Sequence, residues 1–430
     1  MERLSLFSGL AGGLVSLGVG LGMAVALGVG ACIGCAGEPG KSAGAGKPVV
    51  PANPPGARAG ELAKENAAFA FDLFRELSAG KGDDVFFSPY SMSSAVGMLW
   101  AGARGATEEE IAKVMHWGMG QEATHDGFAG LANGLVSPVT KSGETLYEWS
   151  SANRLWMGIE VMSGYQERLV RSYGADAHRL DFGKPVESAG LINGWTKEWT
   201  RGHIEKIVEP EDMRELGLML TNAVYFKGTW EEPFNKEMTR RGPFTRGDGS
   251  VVEKEMMHTT RRTLFATGEG FSAIRLSYKG GVSCVIMLPD EVGGDERLIA
   301  SMSAERFYGL IGGMSASEVV ISLPKVKIET RFNVNKELGR LGMVRAFSGD
   351  ADFSAIDGKG QLAVSDVIHA ATLEMDEVGT VATAVTAIGV RVTSAPMPGE
   401  IKVFNVDRPY VMAIVHDATG SVLFAGRVGK

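Results

Sequence analysis

Residues 379–394 read GTVATAVTAIGVRVTS, and their composition differs from that of the rest of the chain. Almost all of these side chains are small or β-branched, proline is absent, and Arg391 is the only charged residue. High β-propensity without charge is typical of segments that insert into sheets or aggregate. An ordinary buried strand would rarely exceed about 10 residues, and side chains this small bury little apolar area. The pattern therefore favours a segment that is exposed in one state and a central strand in another.

The length, charge and composition of the chain limit its domain number and its classes of partner. It has 430 residues, with 43 Lys plus Arg against 51 Asp plus Glu, and a net charge of −8. This length fits one large domain or two small ones. A mildly acidic chain without a block of Lys and Arg is not expected to bind nucleic acid. The hydrophobic content of 44% is enough for a full core, which excludes global disorder.

The N-terminus predicts export from the cytoplasm. Residues 4–31 are almost wholly apolar or glycine, with Arg3 before them, which fits either a long signal peptide or a membrane span. The sequence VGAC at 29–32 resembles the bacterial lipobox, in which the signal is cut before the cysteine and its thiol is lipidated. We therefore predict a lipoprotein signal over 1–31 with Cys32 as the lipidated residue and Cys35 as the runner-up. An uncleaved anchor and a plain secretory signal remain alternatives.

A Gly-, Ala- and Pro-rich stretch at 32–60 follows and predicts a flexible linker, so that a single folded domain would occupy 61–430. Three cysteines cannot form a disulfide framework, and Cys284 within VSCVIML predicts a buried thiol in a strand. The seven histidines lack the spacing of a metal site, so neither a metal nor a cofactor is predicted.

The folded part predicts an α+β protein with antiparallel or mixed sheets. Apolar spacing indicates a helix over 61–77, a Ser-Pro start indicates one over 91–103, and Thr107 with Glu110 reads as a capping box. Strand patterns come later in the chain, and this order argues against alternating βαβ units. The predicted strands are 218–226, 271–276, 283–288, 319–323, 403–406, 410–415 and 422–428.

The chain carries no motif that indicates an enzyme. There is no GxSxG elbow, no P-loop and no GxGxxG fingerprint after a strand. The adjacent carboxylates at 108–110 and 376–377 are interpreted as helix caps or solvated faces. We therefore predict no catalytic residues, and a hydrolase with an unrecognised site remains a third hypothesis.

Five stretches together resemble one family. Residues 377–384, EVGTVATA, resemble the hinge of the serpins. FFSPYS at 86–91 resembles the segment that opens the serpin shutter, and TNAVYFKGTW at 221–230 resembles the signature strand and breach tryptophan. FNVDRPY at 404–410 and VLFAGRV at 422–428 resemble the C-terminal signature. The matches lie in order over nearly all of 60–430, which makes the resemblance specific.

The resemblance implies a serpin fold, with three β-sheets, eight or nine helices and an exposed reactive loop near the C-terminus. It also implies a suicide-substrate inhibitor: a serine protease cleaves the loop, the loop inserts as a strand in the main sheet, and the acyl-enzyme is trapped. Loop insertion is an established example of strand addition. A non-inhibitory serpin and an inhibitor of papain-like cysteine proteases remain alternatives. Activation by heparin is not supported, because no dense basic helix is visible.

The alternation of side chains along the hinge agrees with insertion of this segment into a sheet. An inserted strand turns successive side chains to opposite faces, and in the family the row that begins at Thr380 faces the core. That row contains no charge, whereas Arg391 falls on the other face, so insertion buries no unpaired charge. Val381 stands where inhibitory members usually have Glu. The hinge residues implied by the resemblance are Glu377, Gly379, Thr380, Ala382, Thr383 and Ala384.

The reactive bond follows from the family's usual spacing of sixteen residues after the hinge glutamate. This count places the bond at Thr393–Ser394, which would suit elastase-like proteases. Arg391 is the runner-up and would suit trypsin-like proteases, since the S1 pocket reads the residue before the cut.

Two supporting clusters are implied in the same way. Ser88, Ser91, Asn222 and His369 match the shutter, and Trp230, Lys325 and Glu377 match the breach that closes the top of the main sheet. The implied partners are a target serine protease and, through the lipid anchor, a bacterial membrane. We expect a monomer in the cell envelope or outside the cell.

Overall fold

The computed structural model describes residues 57–80, 84–140, 143, 145–213, 218–360, 362–380 and 400–430. All of them belong to the unit Pro48–Lys430. The predicted lipidation residues Cys32 and Cys35 lie outside the described residues. So do part of the predicted hinge and the predicted reactive bond, namely Ala382, Thr383, Ala384, Arg391, Thr393 and Ser394.

Helices dominate the first part of the described chain. The α-helices are α1 (Ala57–Ser78), α2 (Pro89–Gly102), α3 (Gly105–Val114), α4 (Gln121–Gly134), α5 (Ser163–Tyr173), α6 (Pro185–Trp199), α7 (Gly294–Ser301), α8 (Ala304–Gly313), α9 (Asn335–Leu341) and α10 (Ser354–Asp357). Short 3₁₀ helices cover Pro210–Asp212, Lys236–Met238 and Arg345–Phe347.

Strands dominate the second part. They are β1 (Val85–Phe87), β2 (Tyr147–Met157), β3 (Asp176–Arg179), β4 (Leu218–Thr229), β5 (Arg240–Thr245), β6 (Val251–Gly268), β7 (Phe271–Tyr278), β8 (Val282–Pro289), β9 (Ser315–Pro324), β10 (Val326–Asn333), β11 (Val364–Met375), β12 (Gly379–Thr380), β13 (Lys402–Asn405), β14 (Tyr410–His416) and β15 (Val422–Val428).

The described strands form two hydrogen-bonded sheets. The six-stranded sheet, here called the main sheet, has the order β10-β11-β12-β4-β2-β3, and β11 also pairs directly with β4. The nine-stranded sheet, here called the second sheet, has the order β1-β15-β14-β8-β7-β6-β9-β13, with β5 paired to β6. Parallel pairs occur in both, β11 with β4 and β2 with β3 in the main sheet and β13 with β9 in the second. The sheets are therefore mixed, as the sequence predicts.

The α+β fold is confirmed, but two of the three expected sheets are hydrogen-bonded into one. The reason is β6, which runs for 18 residues. It pairs with β5 in its first part, with β9 in the middle and with β7 at its end. One continuous strand therefore joins what the resemblance describes as separate sheets.

Helix α2 shows how the sequence positions the functional region. Ser88 precedes the helix in an extended conformation, and its Oγ accepts a hydrogen bond from the backbone N–H of Ser91. Pro89 occupies the first helical position, where its missing N–H leaves no bond unmade. Every residue of α2 is buried. A helix without a polar face must lie inside the molecule, and α2 packs behind β2 and β4 of the main sheet.

The two faces of the main sheet are covered differently. Its back packs against α2 and the second sheet in a large core that includes Leu220, Val224 and Phe226 of β4. Its front carries a smaller cluster in which α6 and the segment after it cover β2, β4 and β11. Successive residues of β4 and β11 therefore alternate between two buried environments. This double burial explains why these strands do not show a simple alternation of polar and apolar residues.

Most predicted elements are found, and one is wrong. The helix over 61–77 and all seven predicted strands are present within a few residues. Thr107, however, does not cap α3, which begins at Gly105. The Thr107 hydroxyl is buried and instead accepts the backbone N–H of Asp352, while the Glu110 carboxylate accepts the N–H groups of Val344 and Arg345. Both side chains therefore accept hydrogen bonds from the backbone of residues 344–352, which are distant in sequence. A local capping pattern cannot predict such contacts.

Cys284 lies fully buried in β8, and burial raises its pKa to about 12. This confirms the prediction of a buried strand thiol. Among the described residues, no helix is long and apolar enough to cross a membrane. The apolar run at 4–31 lies outside them.

Candidate functional site at the hinge and the seam

The centre of the main sheet contains a seam, defined as the direct parallel pairing of β4 with β11. The seam extends from the pair Leu218–Val364 to the pair Val224–Ala371. Above Val224 and Ala371 the two strands no longer pair with each other. The sheet is thus closed along its lower part and open at its upper end.

The first two residues after the β11 turn occupy the top of this opening. Gly379 and Thr380 form β12, which pairs antiparallel with Thr229 and Gly228 of β4. On its other side, Thr380 pairs with Met375 of β11. Gly379 and Thr380 of the predicted hinge therefore already form a short strand between the two strands of the seam.

A three-residue turn directs the chain into this position. The Asp376 Oδ1 atom accepts the N–H groups of Val378 and Gly379 at 2.8 and 3.1 Å, and the Asp376 N–H donates to the Gly379 carbonyl at 2.8 Å. A short aspartate side chain that bonds the backbone two residues on is a known turn-forming device. The interpretation of Asp376 as part of a solvated face was therefore wrong, because this carboxylate shapes the turn.

Gly379 is required by a close approach of two backbones. A Cβ atom at this position would lie 2.0 Å from the carbonyl oxygen of Gly228 and 2.8 Å from the Cα of Thr229. Both contacts are with backbone, which cannot rotate away. Only glycine therefore permits β12 to sit against β4 in the observed way.

Thr380 faces the core. It is 1% exposed, and its hydroxyl lies 2.6 Å from the hydroxyl of Tyr278 in the second sheet. Tyr278 in turn stacks on Trp230, with ring centroids 4.2 Å apart and planes 10° apart. The hinge is thereby tied to the second sheet by one hydrogen bond and one aromatic stack.

Trp230 packs at the top of the main sheet and binds the turn formed by residues 376–378. It is fully buried, its backbone N–H donates to the Val378 carbonyl at 2.9 Å, and its indole N–H donates to the Asp376 carbonyl at 3.0 Å. A buried indole needs a hydrogen-bond partner, and here the turn supplies it. Trp230 therefore packs in the core and also binds the turn that leads into β12.

Glu377 is buried beside Lys325, and these two breach residues come together with Trp230. The Lys325 Nζ lies 3.4 Å from Glu377 Oε2, and the Thr239 hydroxyl donates to Glu377 Oε1 at 2.7 Å. Burial raises the pKa of Glu377, but the bonds from Thr239 and the backbone and the Lys325 charge outweigh it, so the pKa lies below its usual value. Glu377 is therefore a buried, ionised anchor, and its interpretation as a solvated carboxylate was wrong.

The four predicted shutter residues also meet, at the level of the seam. His369, Asn222 and Asn153 stand in one row across β11, β4 and β2. The His369 Nδ1–H donates to the Asn222 Oδ1, and the Asn222 amide donates to Asn153 Oδ1 and to Ser91. The row continues where the Asn153 amide donates to Ser94 Oγ at 3.0 Å. One chain of hydrogen bonds therefore crosses the seam and ends on α2.

The hydrogen bonds of His369 fix its protonation state. Its Nε2 accepts the backbone N–H of Ser88 at 3.1 Å, so the ring carries its proton on Nδ1. The side chain is fully buried, and burial lowers its pKa to about 3. The imidazole is therefore neutral and bridges α2 to the seam.

Sequence reasoning missed Asn153, Ser94, Thr239 and Tyr278. Ser94 had a detectable signal, because it lies three residues after Ser91 on the same helix face. The other three come from strands or loops far away in sequence, and nothing in their neighbourhood marks them.

Comparisons with known proteins agree with this geometry. The family model described as Serpin (serine protease inhibitor) matches residues 64–430. Iripin-2 of Ixodes ricinus is 34% identical over 378 residues, which cover 86% of this chain and 94% of that protein. The crystal structure of Serpin48 from the insect Tenebrio molitor superposes with a TM-score of 0.77 at 28% identity, covering 86% of this chain and 98% of that one.

The crystal structure of human thyroxine-binding globulin shares the fold with a TM-score of 0.80 at 24% identity, covering 87% of this chain and 99% of that one. The chain belongs to the serpin family. Most members inhibit proteases, and some, including thyroxine-binding globulin and ovalbumin, do not.

Proposed function

We propose that this chain is a suicide-substrate inhibitor of serine proteases. The protease serine Oγ attacks the carbonyl carbon of the residue before the scissile bond, and the amine of the next residue leaves with a proton. The freed segment then inserts between β4 and β11 and carries the acylated protease with it before water can hydrolyse the ester. The observation that supports this most directly is β12, a two-residue strand positioned at the top of a seam that is still closed below it.

The main sheet offers a long site for the rest of the strand. Below Gly228, β4 continues for ten residues from Lys227 down to Leu218. Ten inserted residues, paired with β4 on one side and β11 on the other, would make roughly twenty backbone hydrogen bonds. Separating β4 from β11 would break about seven hydrogen bonds of the seam. A net gain of about a dozen bonds at ~0.5–1.5 kcal/mol each gives a drive on the order of 10 kcal/mol. A drive of this size can distort a bound protease.

The reactive bond is proposed at Thr393–Ser394, with Arg391 as the alternative residue before the cut. Ten residues after Thr380 end at 390, so Arg391 would remain beyond β4 and its charge would not have to enter the sheet. Sequencing the peptide released after complex formation identifies the bond. An N-terminal Ser394 supports the first assignment and Val392 the second.

The function is tested by mixing the chain with elastase-like, trypsin-like and papain-like proteases and separating the products on a denaturing gel. The proposal expects a protease–inhibitor complex that survives boiling in detergent. It also expects the melting temperature to rise sharply when the segment 381–399 is cut. Simple cleavage by every protease, with no rise in melting temperature, would instead identify a non-inhibitory serpin.

We also propose that the protein is a monomer tethered to a bacterial cell envelope through lipid on Cys32, with Cys35 as the alternative. The lipobox-like VGAC at 29–32 and the Gly/Pro-rich spacer after it support this. Labelling with a radioactive fatty acid tests it: Cys32→Ser should abolish incorporation, and Cys35→Ser should not. Equal labelling of both variants would contradict this assignment.

A further inference from the structure

A surface cavity of about 360 Å³ lies between β6, β7 and the segment that follows β4. We call it the β6–β7 cavity. The Glu231 N–H donates to the Ser277 carbonyl at 2.9 Å, which holds this segment against β7. Cavities of this size are typical of sites for small molecules. The charged residues that line the cavity are Glu231, Glu232, Arg261, Arg262 and Arg275.

Two of the three arginines already have an acidic neighbour. The Arg275 Nη2 atom donates to Asp417 Oδ1 at 2.6 Å. Arg262 of β6 stands opposite Glu318 of β9 in the register of the second sheet, and opposite charges in such cross-strand positions attract each other. Arg261 is therefore the cation of the cavity whose charge remains to be balanced.

The guanidinium of Arg261 is held in place by two contacts. Its Nη1 atom donates to the Glu232 carbonyl, and its Cζ atom lies 4.6 Å from the centroid of the Phe234 ring. Its Nε and Nη2 atoms are buried, and no described residue accepts a hydrogen bond from them. Burial lowers the pKa of Arg261 to about 10, so the side chain is charged at neutral pH. Two such nitrogens on one edge of a guanidinium match the two oxygens of a carboxylate.

Glu231 and Glu232 exclude a site for a simple anion. Both residues are exposed, and neither carboxylate forms an ion pair with a described residue. A ligand with only negative charge would be attracted by Arg261 and repelled by both carboxylates. A ligand that also carries an ammonium group would bring an opposite charge to each of them. The charges of the cavity therefore match a zwitterion.

The remaining wall of the cavity includes apolar side chains. Leu264, Leu276 and Ala316 contribute to this wall, and Leu276 is 3% exposed. Such a wall stabilises a ligand by removing its apolar surface from water. An α-amino acid with an aliphatic side chain combines a carboxylate, an ammonium group and an apolar group in one small molecule. It is therefore the ligand class that fits all three parts of the lining.

We propose that the β6–β7 cavity binds a free α-amino acid with an aliphatic side chain. The ligand carboxylate bonds Arg261, its ammonium group lies at Glu231 and Glu232, and its side chain packs on Leu264 and Leu276. The proposal does not rest on the inhibitory function. The site nevertheless adjoins the hinge contacts, since Ser277 precedes Tyr278 and Glu231 follows Trp230. A bound ligand should therefore stabilise the folded chain.

The ligand class is tested by isothermal titration calorimetry of the full chain with three molecules of similar shape. L-leucine carries both charges, 4-methylpentanoate lacks the ammonium group, and 3-methylbutylamine lacks the carboxylate. We expect leucine to bind with a Kd at least about tenfold lower than that of either analogue. Saturating leucine should also raise the melting temperature. No binding of leucine, or equal binding of leucine and one of the analogues, overturns the proposal.

Two variants locate the site. Arg261→Gln should raise the Kd of leucine roughly tenfold. The double variant Glu231→Gln, Glu232→Gln should weaken leucine binding and strengthen binding of 4-methylpentanoate, because the repulsion of the carboxylate is removed. Arg297→Gln is the matched control, since this exposed arginine lies outside the lining and should leave each Kd unchanged.

The double variant also decides the case if Arg261→Gln fails to fold, because both glutamates are exposed. The same two Kd values in the native chain and the double variant overturn the proposal. A lower Kd for 4-methylpentanoate together with a higher Kd for leucine supports it.

Discussion

His369 and Asn222 are paired across the seam, and the imidazole Nδ1–H donates to the amide oxygen. These two side chains belong to β4 and β11, the strands that the proposed insertion would separate. Their hydrogen bond is buried, so water cannot replace it without opening the sheet. The polar row through His369 and Asn222 therefore stabilises the closed seam, which the proposed insertion would have to open.

Replacing His369 by alanine should weaken the seam. The variant leaves the Asn222 oxygen and the Ser88 N–H without partners, at a cost of about 1–3 kcal/mol for each buried group. We expect a melting temperature several degrees lower and a faster loss of inhibitory activity at 37 °C. Differential scanning calorimetry and a timed activity assay measure both. The exposed His178→Ala is the control, and an unchanged melting temperature for His369→Ala would contradict a closing role for this residue.

Acid should destabilise the protein through the same residue. The pKa of His369 is about 3 in the fold against an ordinary value of 6.5, because the side chain is buried. Below pH 6.5 the unfolded chain binds a proton that the folded chain does not, so stability is complete above 6.5 and falls as the pH drops toward 3. The loss is on the order of 1 kcal/mol per pH unit.

Urea unfolding at pH 7 and pH 5 measures this loss. His125, whose pKa burial also lowers to about 3, adds a second contribution of the same sign. The variant His369→Gln should lose about 1–2 kcal/mol less than the native chain between these pH values. An identical loss in both proteins would show that the pKa of His369 is the same in the folded and the unfolded chain.

Gly379→Ala should displace the hinge. Its Cβ would overlap the carbonyl oxygen of Gly228, so β12 must leave β4. We expect faster amide hydrogen exchange at Thr380, and more inhibitor consumed per protease trapped, because insertion loses its starting point. Gly309→Ala in α8, where a Cβ meets nothing within 4 Å, is the control. Preserved protection of Thr380 together with normal stoichiometry would refute this account.

Thr380→Arg should convert the inhibitor into a substrate. Position 380 is 1% exposed and faces Tyr278, so a guanidinium there would be buried without a partner. Proteases should cut the variant at a normal rate, with the stoichiometry of inhibition raised more than tenfold and no detergent-stable complex. Thr380→Ser keeps the hydroxyl and should behave like the native chain. Efficient trapping by the arginine variant would mean that insertion does not begin at this residue.

Much of the fold could be predicted from local patterns. The apolar run of β8 and the Ser-Pro start of α2 identified elements whose burial is nearly complete, because such runs are stable only inside a protein. β2, β6 and β11 were not predicted. β11 is buried on both faces yet carries Asp366 and His369, whose partners Asn333, Asn222 and Ser88 all lie in other parts of the chain. From the sequence alone, a polar residue in a central strand cannot be distinguished from a surface residue, because its hydrogen-bond partner is not known.

The sequence by itself determined the family and the composition of the insertable segment, since side-chain size, charge and β-propensity are properties of a linear stretch. Only the tertiary structure decided that Gly379 and Thr380 are already paired between β4 and β11 while the seam below remains closed. It also brought Asn153, Tyr278 and Thr239 to the shutter and the breach. Some of these contacts join residues more than a hundred positions apart in the sequence. They form only in the folded chain, where the free energy gained on folding offsets the conformational entropy lost in bringing the residues together.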